Sequence, residues 1–381
     1  MALKLSRRGQ VPPFIAMDVM RAANERAASG ADVLHLEVGQ PSTPAPAAVL
    51  AAARAALGSE TLGYTDALGL PELRQAIAAH YRRSYGVSLD PARIVVTTGS
   101  SGAFMLAFLA AFDAGDRVAM AAPAYPAYRN ILTALDLVPV ELPAGPAERY
   151  QMTPELLRQQ DAIDGLIVAS PANPTGTMLA PGELGAIARH CRDSGIRFVS
   201  DEIYHGIVFG PTAATALAFS DEAIVVNSFS KYFSMTGWRL GWMVVPPDML
   251  RAVECLAQNL YISPPALSQH AAIVAFDCRE ELDANVRRYA ANRALLLEEL
   301  PKAGFERFAP PDGAFYLYAD VAHLTNDSPE FCRRMLREVG VACTPGIDFD
   351  PARGHASLRI SFAGSTEAMA EAARRLKSWR R

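Results

Sequence analysis

Cysteine is scarce and scattered. The five residues lie at 191, 255, 278, 332 and 343 with no C-x-x-C pair among them. That argues against a disulfide framework or a zinc site and fits a reducing cytoplasm. Long apolar runs are missing too. The longest, AFMLAFLAAF at 103–112, falls far short of the roughly 20 residues a membrane span requires. Basic charge is not in excess: 36 Lys and Arg stand against 40 Asp and Glu, a net charge of -4. Nothing in that balance favours nucleic acid, and the basic end RRLKSWRR reads as a solvated helix C-terminus. The chain has no G-x-x-x-x-G-K-[ST] phosphate loop and no G-x-G-x-x-G after an early strand, so nucleotide and dinucleotide fingerprints are absent. The charged start MALKLSRRG runs into Pro12, Pro13 and Asp18 rather than an apolar stretch, so no secretory leader is expected.

The 381 residues are 50% hydrophobic and 20% charged, a globular composition with room for two domains. Short β-branched runs recur as DVLHLEV (32–38), RIVVTTG (93–99), DRVAMAAP (116–123), GLIVASP (165–171), IRFVSDE (196–202), AIVVNSFS (223–230) and LGWMVVP (240–246). Most lack polar alternation, as strands covered on both faces do. Between them lie helical stretches such as PELRQAIAAHYRRSYG (71–86) and PGELGAIARHCRDSG (181–195), each opening on Pro and closing on Gly. The alternation predicts an α/β large domain with a mainly parallel sheet over residues 33–285. Beyond it, a long helix, three shorter strands and a last helix at 366–380 predict a smaller α+β domain built from 1–32 and 286–381.

In open α/β sheets ligands gather beyond the carboxyl ends of the strands. Here those ends read TTGSSGAF, ASPANPTG, SDEIY and NSFSK. GSSG opening an apolar helix offers unpaired N–H groups and two hydroxyls to a phosphate, although a plain serine cap would look alike. Asp201 after a buried run needs a partner or a ligand, and a loop ion pair would serve as well. ANPTG is turn chemistry in its own right, with Asn173 free to present its amide. Lys231, in SFSKYFSMTGWRLGW, has aromatic neighbours and no acid beside it. A lysine held there loses affinity for its proton and becomes a nucleophile suited to an aldehyde. Arg239 follows as a candidate anion clamp. The plainer alternative makes both of them snorkelling surface cations.

Together these segments resemble the class I/II aminotransferases, the aspartate-aminotransferase-like branch of the fold-type I pyridoxal 5'-phosphate (PLP) enzymes. SFSK-x-x-x-MTGWRLG, SDEIY, SPANPTG, SLRISFA, LEVGQP and LGYTDALGLPELR occur in the family's order from about residue 36 to 362. The resemblance implies that Lys231 carries PLP as a Schiff base and then moves the substrate proton. It implies that Asp201 keeps the pyridine nitrogen protonated, and that Tyr204 and Asn173 bond the ring hydroxyl oxygen. Tyr125 stacks on the ring. Ser100, Ser101, Ser228 and Arg239 hold the phosphate, and Tyr64 reaches the phosphate of a second subunit in a homodimer. Arg359 takes the substrate α-carboxylate, and Gly39 lets the backbone approach it.

The implied activity is ping-pong transfer of an amino group from an amino acid to a 2-oxo acid. A carbon–sulfur lyase could use the same lysine and aspartate, because the surroundings choose the bond that breaks. A ligand-binding regulator would need a DNA-binding module, and only about 35 residues precede the first expected strand. Ser101 stands where aspartate-specific bacterial relatives often carry a lysine, and VPPFIAM (11–17) is apolar. An apolar or aromatic donor is therefore expected.

Overall fold

A computed structural model describes residues 3–160 and 162–380. Its centre is a seven-stranded sheet in the order Ile94–Thr97, Gly241–Val244, Ile224–Ser228, Arg197–Asp201, Gly165–Ala169, Arg117–Ala122, Val138–Pro143. Gly241–Val244 runs antiparallel to both neighbours, and the other pairings are parallel. The apolar runs are explained by burial on both faces. Ile94, Val96, Val225 and Val244 enter one core with Phe229 and Trp242. Val95, Val226 and Met243 enter another with Phe104 and Phe108. Each such side chain taken out of water contributes about 1.5–3 kcal/mol.

The helices keep the limits their end residues set. Pro71–Tyr85 opens on Pro71 and stops at Gly86, and Pro181–Ser194 stops at Gly195; both glycines are left-handed. The long helix Arg279–Glu299 leads from the large sheet to a four-stranded antiparallel sheet, in the order Thr344–Pro345, Ser357–Ser361, Tyr316–Asp320, Arg307–Phe308. Its core gathers Phe315, Leu317, Ile360 and Phe362.

Two sequence expectations change. DVLHLEV forms only the short strand Leu34–His35, which pairs with Val341–Ala342 outside the seven-stranded sheet. An additional edge strand, Val138–Pro143, goes unforeseen because it carries two prolines, Pro139 and Pro143, which sit at the edge of the sheet. The N-terminal helix Ile15–Ala28 packs on Thr344–Pro345 and Val341–Ala342. Its first N–H groups, at Ile15 and Ala16, donate to the Asp348 carboxylate at 3.0 and 2.9 Å. A remote aspartate thus caps a helix whose own flanking residue, Phe14, cannot.

Candidate active site

The parallel strands end on one side of the sheet and deliver their polar termini to one cleft. After Ile94–Thr97 the chain enters helix Gly99–Ala111. Gly99 has φ +76°, and a Cβ there would lie 2.6 Å from Arg239 Nη2. Only glycine therefore admits the guanidinium to the helix start. Arg239 is itself left-handed, at φ 51°, a conformation costing on the order of 1–3 kcal/mol outside glycine. It donates to the Thr236 carbonyl at 3.0 Å and makes no ion pair among the described residues. Helix dipole and guanidinium so meet without an acidic neighbour, which is an anion site. Ser100 is half-buried and Ser101 exposed at the same helix start. Ser228 is buried, its hydroxyl donating to Ser230 Oγ at 2.8 Å, with Leu240 O at 3.3 Å.

Deeper in the cleft Asp201 is 2% exposed. Its carboxylate accepts from the Tyr128 hydroxyl and from the Ile203 N–H at 3.1 Å. Burial pushes its carboxyl up to about 6, against the pull of Tyr128, the Ile203 N–H and Lys231. Lys231 donates from Nζ to Gly39 O at 2.6 Å, and Nζ lies 5.7 Å from the Tyr204 ring centre. Burial lowers its amine to about 8, Arg359 and Arg239 add to the fall, and Asp201 opposes it. The amine is thus neutral in a useful fraction near physiological pH.

Arg359 lies on Ser357–Ser361 and is 2% exposed. Its guanidinium sits 4.4 Å from the Tyr316 ring centre and 4.8 Å from that of Phe349. Nη1 donates to Asn173 Oδ1 at 2.8 Å, and Nη2 to Glu37 O and to Thr344 Oγ1 at 3.3 Å. Nε is buried without a partner. Tyr204 and Tyr316 share a 2.7 Å hydroxyl–hydroxyl bond. Tyr125 stands edge-on to Tyr128 at 5.3 Å and to Phe14 at 5.6 Å. Burial raises its phenol to about 12.

Of the residues singled out in the sequence, Gly39, Tyr125, Asn173, Asp201, Tyr204, Lys231 and Arg359 converge here. Ser100, Ser101, Ser228 and Arg239 lie at the anion end. Tyr64 is 84% exposed and makes none of the contacts described for the others. Sequence reasoning missed Tyr128, Tyr316, Thr344 and Phe14. The three-residue spacing in YPAY, on one helix face, could have found Tyr128. Tyr316 gave no signal, being one aromatic among several in GAFYLYADV.

The donor set fits PLP: an anion cradle without an acid, a buried aspartate, and a lysine with a weakened hold on its proton. Such a set at the strand ends of this α/β sheet defines a fold-type I PLP-dependent enzyme. The model of aminotransferase class I and II matches residues 31–376. A valine–pyruvate aminotransferase of Mycobacterium tuberculosis is 54% identical over 381 residues, covering 99% of this chain and 98% of that protein. An aspartate/prephenate aminotransferase of Thermus thermophilus is 34% identical over 379 residues, 97% of each. The crystal structure of an aminotransferase from M. tuberculosis superposes with a TM-score of 0.97 at 54% identity, covering 99% of both chains. The chain belongs to the class I and II aminotransferases, in the aspartate-aminotransferase-like branch. It is a PLP-dependent aminotransferase, and the lyase alternative left open by the sequence gives way to that activity.

Proposed function

We propose that the enzyme moves the amino group of an apolar amino acid, of the valine type, to a small 2-oxo acid such as pyruvate. The observation that carries this is the aromatic wall made by Phe14 against Tyr125, which offers carbon rather than charge beside the ring site. The name of the 54% identical relative, a valine–pyruvate aminotransferase, points the same way. Ser101 adds no cation at the helix start.

PLP, when bound, supplies the electron sink that makes the substrate α-proton removable. The chain's own residues do the rest. Gly99, Ser100, Ser101 and Arg239 hold the phosphate, with Ser228 buttressing the loop beneath. Asp201, fixed by Tyr128 and the Ile203 N–H, keeps a proton on the ring nitrogen. Tyr204 and Asn173 donate to the ring hydroxyl oxygen, and Tyr125 covers one ring face. The Lys231 amine would hold the cofactor aldehyde until the substrate amino group takes its place there, and the freed amine would then take the α-proton from one carbon and return it to another. Arg359 turns its free donors to the α-carboxylate, which Gly39 lets approach the backbone.

Residues 33–285 form the PLP-binding domain, with 1–32 and 286–381 as the smaller one, and Leu34–His35 lies at the seam. Tyr64, exposed on the subunit, reaches the phosphate of a second copy in a homodimer that works in the cytoplasm. No described helix is long and apolar enough to cross a membrane.

A donor panel of valine, leucine, methionine, phenylalanine and aspartate against pyruvate and 2-oxoglutarate tests the substrate. Valine-type donors lead the panel, and aspartate far ahead of them would overturn the assignment. Borohydride reduction locks the cofactor onto Lys231 in the wild type. A Lys231→Ala variant that still traps cofactor covalently would remove Lys231 from its role.

A further inference from the structure

Tyr316 touches three parts of the site that the mechanism treats separately. Its hydroxyl lies 2.7 Å from that of Tyr204. Its ring lies under the Arg359 guanidinium, 4.4 Å from ring centre to carbon. The hydroxyl also presses on the backbone at Gly39, where an added Cβ would fall 1.6 Å from it. Gly39 O is in turn the acceptor for Lys231 Nζ. The residue opens the strand Tyr316–Asp320, which is paired along its length with Ser357–Ser361, and itself faces Ser361, so its place is set by the ladder.

The direction of the Tyr204–Tyr316 bond follows from counting protons. Each hydroxyl has one. If Tyr204 gives its proton to the ring hydroxyl oxygen of the cofactor, Tyr316 must be the donor of the pair. Burial raises the phenols of both tyrosines, so both keep their protons in the working range. A hydroxyl that accepts one hydrogen bond donates the next more strongly.

We propose that Tyr316 is a positioning residue that donates to Tyr204 and so strengthens the Tyr204 hydrogen bond to the cofactor's ring oxygen. This rests on the role given above to Tyr204. The other titratable or charged groups facing the pair are Asp201, Lys231 and Arg359, with Tyr125 and Tyr128 from the helix Pro126–Ala134 and its cap. None is altered by the substitutions below. A donor to the ring oxygen favours negative charge there and lowers the pKa of the proton shared between that oxygen and the Lys231 nitrogen. Losing the relay raises that pKa.

The test is a visible-absorbance pH titration of the cofactor-loaded enzyme, without substrate, for wild type, Tyr316→Phe, Tyr204→Phe and the double variant. Tyr204→Phe moves the midpoint up. Tyr316→Phe moves it up by about half a unit, the share of one neutral hydrogen bond passed along a relay. In the Tyr204→Phe background Tyr316→Phe adds nothing, because the relay is already cut. A Tyr316→Phe midpoint equal to wild type, with Tyr204→Phe shifted, overturns the relay alone. A full additive shift in the double variant also overturns it, because Tyr316 then acts through Arg359. An unmoved Tyr204→Phe overturns instead the role given to Tyr204. Should Tyr316→Phe fail to fold, Gly39→Ala displaces the same hydroxyl sterically, and an unmoved midpoint there overturns the relay.

Discussion

Replacing Arg359 by lysine keeps the charge and removes the fork. A guanidinium has five N–H donors. Three point at Asn173 Oδ1, Glu37 O and Thr344 Oγ1, and the buried Nε has no partner. That leaves the Nε and one Nη1 N–H, and because Nε–H shares its edge with Nη2, a carboxylate clasped there displaces only one Nη2 bond, such as the long one to Thr344. Each charge-assisted hydrogen bond contributes about 1.5–3 kcal/mol. Lysine restores part of the charge term, so the net loss is about 3 kcal/mol, or roughly 100-fold in kcat/KM at 1.4 kcal/mol per tenfold. The assay compares valine with isobutylamine, the same side chain without the carboxylate. Arg359→Lys lowers kcat/KM for valine by about 100-fold and leaves isobutylamine within about threefold of wild type. Cofactor content, read from absorbance, stays at wild-type level in both preparations. An equal fall for both donors would refute the reasoning, because the arginine would then be supporting the fold or the cofactor rather than the carboxylate.

Two further outcomes follow from the geometry. Gly99→Ala meets both the left-handed backbone at φ +76° and the Arg239 guanidinium at 2.6 Å, so cofactor affinity falls by about tenfold or more, as equilibrium dialysis would show. Tyr128→Phe removes a donor to Asp201, whose carboxyl already stands near 6 through burial. Its anion is then less stable, its pKa rises, and the acid limb of cofactor binding moves to higher pH than in wild type. A limb that moves down or stays would show that Tyr128 does not support the charge.

The large sheet was legible because its strands are buried on both faces. Residues such as Val225 and Val226 serve opposite cores, so the sequence reads as unbroken apolar runs. Strands with another logic escaped. Val138–Pro143 lies at the edge, where prolines are tolerated, and Leu34–His35 pairs with Val341–Ala342, a partner some 300 residues away that no local pattern could name. The cleft was legible wherever a group closes a strand or stands within a few residues of its end, as Asp201 and Lys231 do. Tyr316 and Thr344 stand in the second sheet on the two strands that flank Arg359, and they reach it through pairings between segments far apart in the chain. Asp348 is likewise silent in sequence, since its role is to cap a helix more than 300 residues upstream.

The reversal between Ile224–Ser228 and Gly241–Val244 has one more consequence. Ser228 faces Gly241 and Asn227 faces Trp242 across the ladder, so both ends of the loop 229–240 are pinned in register. Inside it, Met235 N bonds Phe229 O at 3.0 Å and Thr236 Oγ1 bonds Ser230 O at 2.8 Å. Lys231 and Arg239 stand on this stapled loop like two marks on a ruler. In the roles proposed for them, their separation has to match the distance between the aldehyde and phosphate ends of one small molecule. Surface loops commonly gain or lose residues without harm. A single insertion between 232 and 238 would leave every named side chain present and still move one mark, so the length of this loop is constrained as tightly as the identity of the residues at its ends.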